Sequence, residues 1–244
     1  MIVLFTDFGV AGPYVGQIKA VLARQAPRRP VIELFSDAPA CDPKAAAYLL
    51  AAYTEEFPVS TIFLAVVDPG VGGPRGAGVL FADGRWFVGP ENGLFEIVAR
   101  RARQEPSWRE IFIPGDGVSA TFHGRDVFAP AAAVLARGGV PDGCERPVAD
   151  MRRSTWPDDL AEVIYIDGFG NAMTGLRAAR FAAATVLDVG KVRLKRARTF
   201  SDVPAGAAFF YDNANGLVEI AVNRGHAADR LGLKVGTPVK IAGM

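Results

Sequence analysis

Histidine and cysteine are nearly absent: the 244-residue chain holds 2 of each. Neither His123 nor His226 has a second histidine at helical spacing, so no zinc or other metal site is expected. Cys41 and Cys144 lie far apart and in no metal-binding spacing. A lone disulfide between them is the lesser alternative, and two buried free thiols in a reducing compartment are the expectation. Charge of one sign is lacking too. The 27 basic and 26 acidic residues leave a formal charge of +1, with no run of five like charges, so nothing electrostatic points to nucleic acid or an anionic membrane. No apolar run is long enough to span a bilayer. The start, MIVLFTDFG, has neither the basic residues nor the long apolar stretch of a signal peptide, and a cytoplasmic protein is expected. There is no internal repeat and no low-complexity tract.

What the chain does have is apolar residues, 50% of the total against 22% charged, enough for a large core. In the first half, β-branched or aromatic runs alternate with helical patterns. Residues 2–5, 31–35 and 61–67 read as strands, and the unbroken apolar run TIFLAVV suits burial on both faces of a mainly parallel sheet. Helices are expected over 13–26, from Pro43 onward, from Glu91, and from about Arg125 until Gly138 and Gly139 stop it. Residues 79–81 and 86–88 read as a hairpin around Asp83 and Gly84. This alternation predicts an α/β domain over residues 1–145. Residues 146–157, rich in proline and mixed charge, read as a linker. Beyond it, short β-like runs at 162–166, 185–189, 207–211, 218–222 and 239–241 predict a β-rich domain over 158–244, a small barrel or a sandwich.

Open α/β sheets bind ligands at the C-terminal ends of their strands, and three such ends carry an acid: Asp7, Asp37 and Asp68. Asp68 opens DPGVGGPRG, which also holds Arg75. Its glycines do not form a dinucleotide loop, because Arg75 stands where the third glycine would be and a strand, not a helix, follows. His123 lies in TFHGRD at the mouth of a helix, between flexible and charged neighbours, and is a candidate for chemistry. His226, in NRGHAADRLG, reads as an exposed loop residue. In the second half, VIYIDGFGN ends a strand with Asp167, Phe169 and Asn171, a carboxylate, an aromatic ring and an amide suited to a small zwitterion or heterocycle. A glycine turn explains the same segment equally well. The residues by themselves lead to a two-domain α/β enzyme with a ligand between the domains.

Taken in order, LFTDFG, DPGVGGPRG, GPENGLF, TFHGRDVFAPAAA, IDGFGN and GLVEIAVNRGHAA resemble the S-adenosylmethionine hydrolase family, the hydroxide adenosyltransferases related to the adenosylmethionine-dependent fluorinase and chlorinase. The likeness covers residues 4–227. It implies an N-terminal α/β domain, a C-terminal β-barrel-like domain, and homotrimers that hold ligand between subunits. It also implies hydrolysis of S-adenosylmethionine to adenosine and methionine, without cofactor or metal. The catalytic Asp–Arg–His set falls on Asp68, Arg75 and His123. Asp7, with Phe8 beside it, falls at the ribose, and Asp167, Phe169 and Asn171 fall by the ligand. Two positions depart from the pattern: Asp37 replaces a histidine, and Cys41 a larger residue near the ribose. Glu91, in PENG, stands for the commoner aspartate.

Three rival readings follow from the same residues. A halogenase would attack the same carbon with halide, but an anion needs no base, and the Asp–Arg–His set argues for water. A non-catalytic adenosine or adenosylmethionine sensor has no use for the set. A metal-dependent hydrolase built on Asp7, Asp37, Asp68 and His123 would fit the strand-end acids.

Overall fold

The computed structural model describes residues 1–242. The chain divides into two compact units, the first ending at Ser154 and the second starting at Thr155.

In the first unit, seven strands form one sheet: β1 (Ile2–Thr6), β2 (Val31–Phe35), β3 (Ile62–Val66), β4 (Ala77–Ala82), β5 (Arg85–Pro90), β6 (Ser107–Ile111) and β7 (Gly143–Arg146), in the order β2-β1-β3-β5-β4-β6-β7. Strands β2, β1, β3 and β5 are parallel neighbours; β4, β6 and β7 then add antiparallel pairings. β1 and β3 are buried along their whole length, as their unbroken apolar runs require. One face carries Ile2, Leu4, Ile62 and Leu64 against Ile18 and Leu22 of α1 (Tyr14–Gln25) and Phe128, Ala129 and Ala132 at the start of a late helix. The alternate residues make an aromatic layer on the other face: Phe63 stacks on Phe87 with ring centroids 5.0 Å apart, and Phe87 meets Phe95 at 6.0 Å. Each such fully buried ring contributes on the order of 1.5–3 kcal/mol. α2 (Pro43–Tyr53) starts where Asp42 accepts a hydrogen bond from Ala45 N at 2.9 Å, with proline in the first turn.

The β4–β5 hairpin closes on Asp83 (φ 45°) and Gly84 (φ 76°), the two left-handed positions of the tight turn that matches strand twist. The helix expected from Glu91 begins instead at Glu96, as α3 (Glu96–Arg101). Gly93 takes φ 99°, and Asn92 spends its side chain on Val67 O at 2.8 Å and Leu94 N at 3.2 Å, so the backbone turns before it can coil. Two strands of this unit were not visible in the sequence. β6 hides because Arg109 and Glu110 stand side by side between Trp108 and Ile111, which breaks the alternation expected of a strand. β7 is a short edge strand whose Glu145 and Arg146 pair across to Arg109 at 2.9 Å and Glu110 at 2.8 Å, a charged edge that resists further pairing. Residues 146–157 begin in β7 and continue through α5 (Val148–Met151). Buried Glu96 then accepts from Arg152 Nε at 3.0 Å and Arg153 N at 2.6 Å.

The late helix opens as a π turn, Gly124–Phe128, and continues as the α-helix α4 (Ala129–Ala136), leaving the helical track at Gly138 (φ 81°).

The second unit carries β8 (Leu160–Ile166), β9 (Ala172–Arg177), β10 (Val186–Val189), β11 (Val192–Lys195), β12 (Ala208–Asp212), β13 (Leu217–Val222) and β14 (Lys240–Ile241). They form two antiparallel sheets, β12-β13-β9-β8 and β11-β10-β14, around Val163, Leu176, Leu187, Phe210 and Ile220. No continuous ladder closes a barrel among the described residues. The sheets meet at single bridges, Arg196 with Phe210 and Glu162 with Pro238, so the barrel-like expectation holds only in outline. Residues 243 and 244 of the expected domain lie outside the described residues.

Candidate functional site

Three chain segments converge at the C-terminal ends of the parallel strands. β1 delivers Asp7, β3 delivers Asp68, and the π turn is preceded by His123. An extra residue inside a helical turn re-aims the side chains beside it, and π turns recur at functional sites for that reason.

Arg75 ties Asp68 to His123. Its Nε donates to Asp68 Oδ1 at 3.0 Å and its Nη2 to Asp68 Oδ2, a two-pronged pair. The same Nη2 lies 2.9 Å from His123 Nδ1, and Nη1 donates to Gly76 O at 3.2 Å. The guanidinium carbon sits 5.3 Å from the centroid of the Phe128 ring. Arg75 and Asp68 side chains are 10% and 5% exposed, and His123 is 6% exposed. Water therefore screens this chain of contacts little. Burial, and after it the Arg75 charge, push the His123 pKa below its ordinary value, while Asp68 and Asp126 pull the other way. Arg75 can only donate, so Nδ1 must accept, and the neutral ring carries its proton on Nε2.

The Asp68 loop is held on both sides. Gly72 has φ 76°, and a Cβ there would strike the Ala120 carbonyl oxygen, so only glycine permits the approach. Asn92, the asparagine of PENG, pins Val67 O directly before Asp68. Residue types alone did not reveal that role, although an Asn–Gly pair after a strand was its available signal.

Asp7 accepts from Cys41 N at 2.9 Å, and burial raises its pKa, with nearby Asp68 adding to the rise. Phe8 packs edge-on against Phe122, centroids 5.7 Å apart, and leans on Tyr14 at 5.9 Å. Asp37 lies on the loop after β2, tied to the exit of β1 through Gly9 N to Ser36 O at 2.6 Å and Ala38 N to Thr6 O at 3.0 Å. Both cysteines are free, but Cys41 is exposed and Cys144 partly so, which corrects the expectation of two buried thiols. Cys41 has φ 55°, and this left-handed turn places its amide on Asp7. Among the described residues, no group of three or more His, Cys, Asp and Glu side chains is arranged to hold a metal ion. No helix among them is long and apolar enough to cross a membrane.

In the second unit, Asp167 builds a turn. Its Oδ1 accepts from Phe169 N and Asn171 N, both at 2.9 Å, and its Oδ2 accepts from Asn171 Nδ2 at 3.1 Å. Gly170 has φ 82°. The turn leaves Phe169 81% exposed and Asn171 6% exposed. His226 caps α6 (Ala227–Leu231), its Nδ1 accepting from Asp229 N at 3.2 Å, which accounts for it structurally.

Comparison with known proteins bears on both units. Residues 2–145 match the family model described as SAM hydroxide adenosyltransferase N-terminal domain, and residues 161–240 match its C-terminal domain. A Thermus thermophilus protein named (R)-S-adenosyl-L-methionine hydrolase is 44% identical, with 97% of each chain covered. A protein of the same name from Salinispora arenicola is 36% identical over 97% of this chain and 95% of its own. Among solved structures, an uncharacterized conserved protein from Thermotoga maritima is similar with a TM-score of 0.86 at 31% identity, covering 99% of this chain and 100% of that one.

Proposed function

The chain belongs to the SAM hydroxide adenosyltransferase family, and from that premise we propose that Asp68, Arg75 and His123 direct water onto the ribose C5′ of S-adenosyl-L-methionine. The enzyme hydrolyses this substrate to adenosine and L-methionine. Methionine leaves as a neutral thioether because the sulfonium takes up the electron pair of the breaking C–S bond, so no acid has to assist departure. The difficulty lies with water, which must be aimed in line with that bond and must lose a proton as the new C–O bond forms.

The observation that carries this reading is the contact chain Asp68–Arg75–His123, buried and closed through a single guanidinium. Arg75 occupies Nδ1 of His123, so the ring offers its Nε2 proton to the water oxygen and orients it. Asp68, fixed by both prongs of Arg75, keeps further lone pairs free and takes the proton. Asp7 and Phe8 hold the ribose end, and Asp167, Phe169 and Asn171 present the second unit's ligand face. The substrate supplies its own electrophile, and the reaction runs without cofactor or metal. The working assembly is a homotrimer in the cytoplasm, with ligand shared between neighbouring copies.

The deciding experiment incubates the protein with S-adenosylmethionine in heavy-oxygen water containing moderate chloride, with chelator present. The expected product is adenosine labelled at its 5′ oxygen. Unlabelled adenosine, a rate abolished by chelator, or 5′-chloroadenosine as the main product would overturn the reading.

A further inference from the structure

Two charged residues of TFHGRD, Arg125 and Asp126, touch no reacting atom in the chemistry above, and beyond the pull of the Asp126 charge on His123 they make the densest side-chain network of the π turn. Asp126 Oδ2 accepts from Ser119 N at 2.9 Å. Arg125 grips the same carboxylate at both oxygens, Nε to Oδ1 at 2.6 Å and Nη2 to Oδ2 at 2.8 Å. Its remaining Nη1 donates to Gln17 Oε1 on α1 at 2.9 Å. The guanidinium carbon lies 5.3 Å from the centroid of Phe122, the ring that meets Phe8 and Tyr14 edge-on.

These contacts end on an otherwise exposed turn. Residues 112–117 are exposed, as are Ala120 and Thr121, and a turn with so little buried surface opens easily unless something ties it down. It is the same turn whose Ala120 carbonyl rests on Gly72 of the Asp68 loop. It runs directly into His123 through the Phe122 N to Ser119 O hydrogen bond at 3.2 Å.

We propose that Asp126 is a positioning residue for the hydrolysis: braced by Arg125, it clamps residues 119–122 against the Asp68 loop and so keeps His123 aimed at the attacking water. The clamp acts through His123 and touches no reacting atom. It rests on the function proposed above, because a misaimed water is what its loss would produce. The Arg125 hydrogen bond and charge also hold the Asp126 carboxyl below its usual range, so the brace stays ionised through neutrality.

The test uses the full-length enzyme and compares wild type with Asp126→Asn, Asp126→Glu and Arg125→Gln. Asp126→Asn should lower kcat by about tenfold to a hundredfold, the cost of displacing a reacting group by roughly an ångström. Its KM for S-adenosylmethionine and Kd for adenosine should stay within about threefold, the split that marks a role confined to the reacting step. Amide hydrogen exchange in residues 118–122 should quicken at least about tenfold, while peptides of β1 and β3 remain as protected as before. Asp126→Glu should recover part of the rate, and Arg125→Gln combined with Asp126→Asn should lose less than the product of the single losses. An unchanged kcat, unchanged exchange, or a proportional fall in kcat and adenosine affinity would overturn the proposal. An inactive wild type would overturn the function reading itself, and active wild type beside a normal Asp126→Asn would overturn only the clamp.

Discussion

Forty-eight positions separate Arg75 from His123, yet one guanidinium nitrogen sets the tautomer of that histidine, and the Arg75 charge adds to the burial that disfavours its protonation. Arg75, Asp68 and Asp126 are the charged groups that act on it, and burial with Arg75 outweighs the two acids. Because its folded pKa lies below the ordinary 6.5, the stabilisation from a neutral buried ring is fully present above pH 6.5. It is lost as pH falls through the lower folded value. The acid limb of kcat should therefore lie below pH 6.5. With only two histidines in the chain, ring proton–carbon NMR can follow His123 directly. Arg75→Gln removes the guanidinium charge and leaves Asp68 and Asp126, so the His123 pKa should rise. A His123 that titrates at or above 6.5 in the wild type would contradict the tautomer argument and the role of Nε2 as donor.

At the scale of elements, the site depends on strand ends held by distant polar anchors. Asn92 on the loop after β5 fixes the exit of β3, and Glu96 at the head of α3 fixes the segment that follows α5. Glu96 is wholly buried and meets Arg100, Arg152 and the Arg153 amide. Burial pushes its pKa up, but the Arg152 bond, the Arg153 amide and the Arg100 bond together bring it below the usual carboxylate range. Glu96→Gln should cost about 1.5–3 kcal/mol, the range for hydrogen bonds to a charged group. The sign follows from the lowered pKa. The Glu96 contribution is present above pH 4.5 and is lost as pH falls through the folded value. Thermal melts of wild type and Glu96→Gln should thus differ at neutrality and draw together in acid. Equal midpoints at pH 7 would show that the two arginines gain nothing from the carboxylate.

At the scale of the whole molecule, the residues proposed to meet the substrate are divided between the units: Asp7, Asp68, Arg75 and His123 on the first, Phe169 and Asn171 on the second. Phe169 is a large ring left 81% exposed by its turn. If neighbouring copies share each site, co-refolded Asp68→Ala and Asn171→Ala subunits should regain activity wherever one interface carries both wild-type halves. The separate mutants should stay poor. Absence of rescue, or a monomer by sedimentation at working concentration, would end the shared-site proposal.

Much of this was legible in the chain itself. Apolar runs with period and length placed β1, β2, β3, the β4–β5 hairpin, α1 and α2, because burial on two faces or one stripe leaves a direct mark on residue order. The strand-end acids and TFHGRD marked the candidate site for the same local reason. Tertiary structure alone decided the rest. β6 and β7 pair through charged residues whose pattern resembles a loop, while β9 is interrupted by Gly175 and β11 is only four residues long, so both are recognisable only by their partners. The two sheets of the second unit meet at single bridges and close no barrel among the described residues, a matter of sheet edges that no segment encodes by itself. Above all, the contact of Arg75 with both Asp68 and His123, and of Asp126 with Ser119, depends on two loops folding back across the sheet ends. Hydrogen bonds reach only about three ångströms, so the residue order could name those side chains but not bring them together.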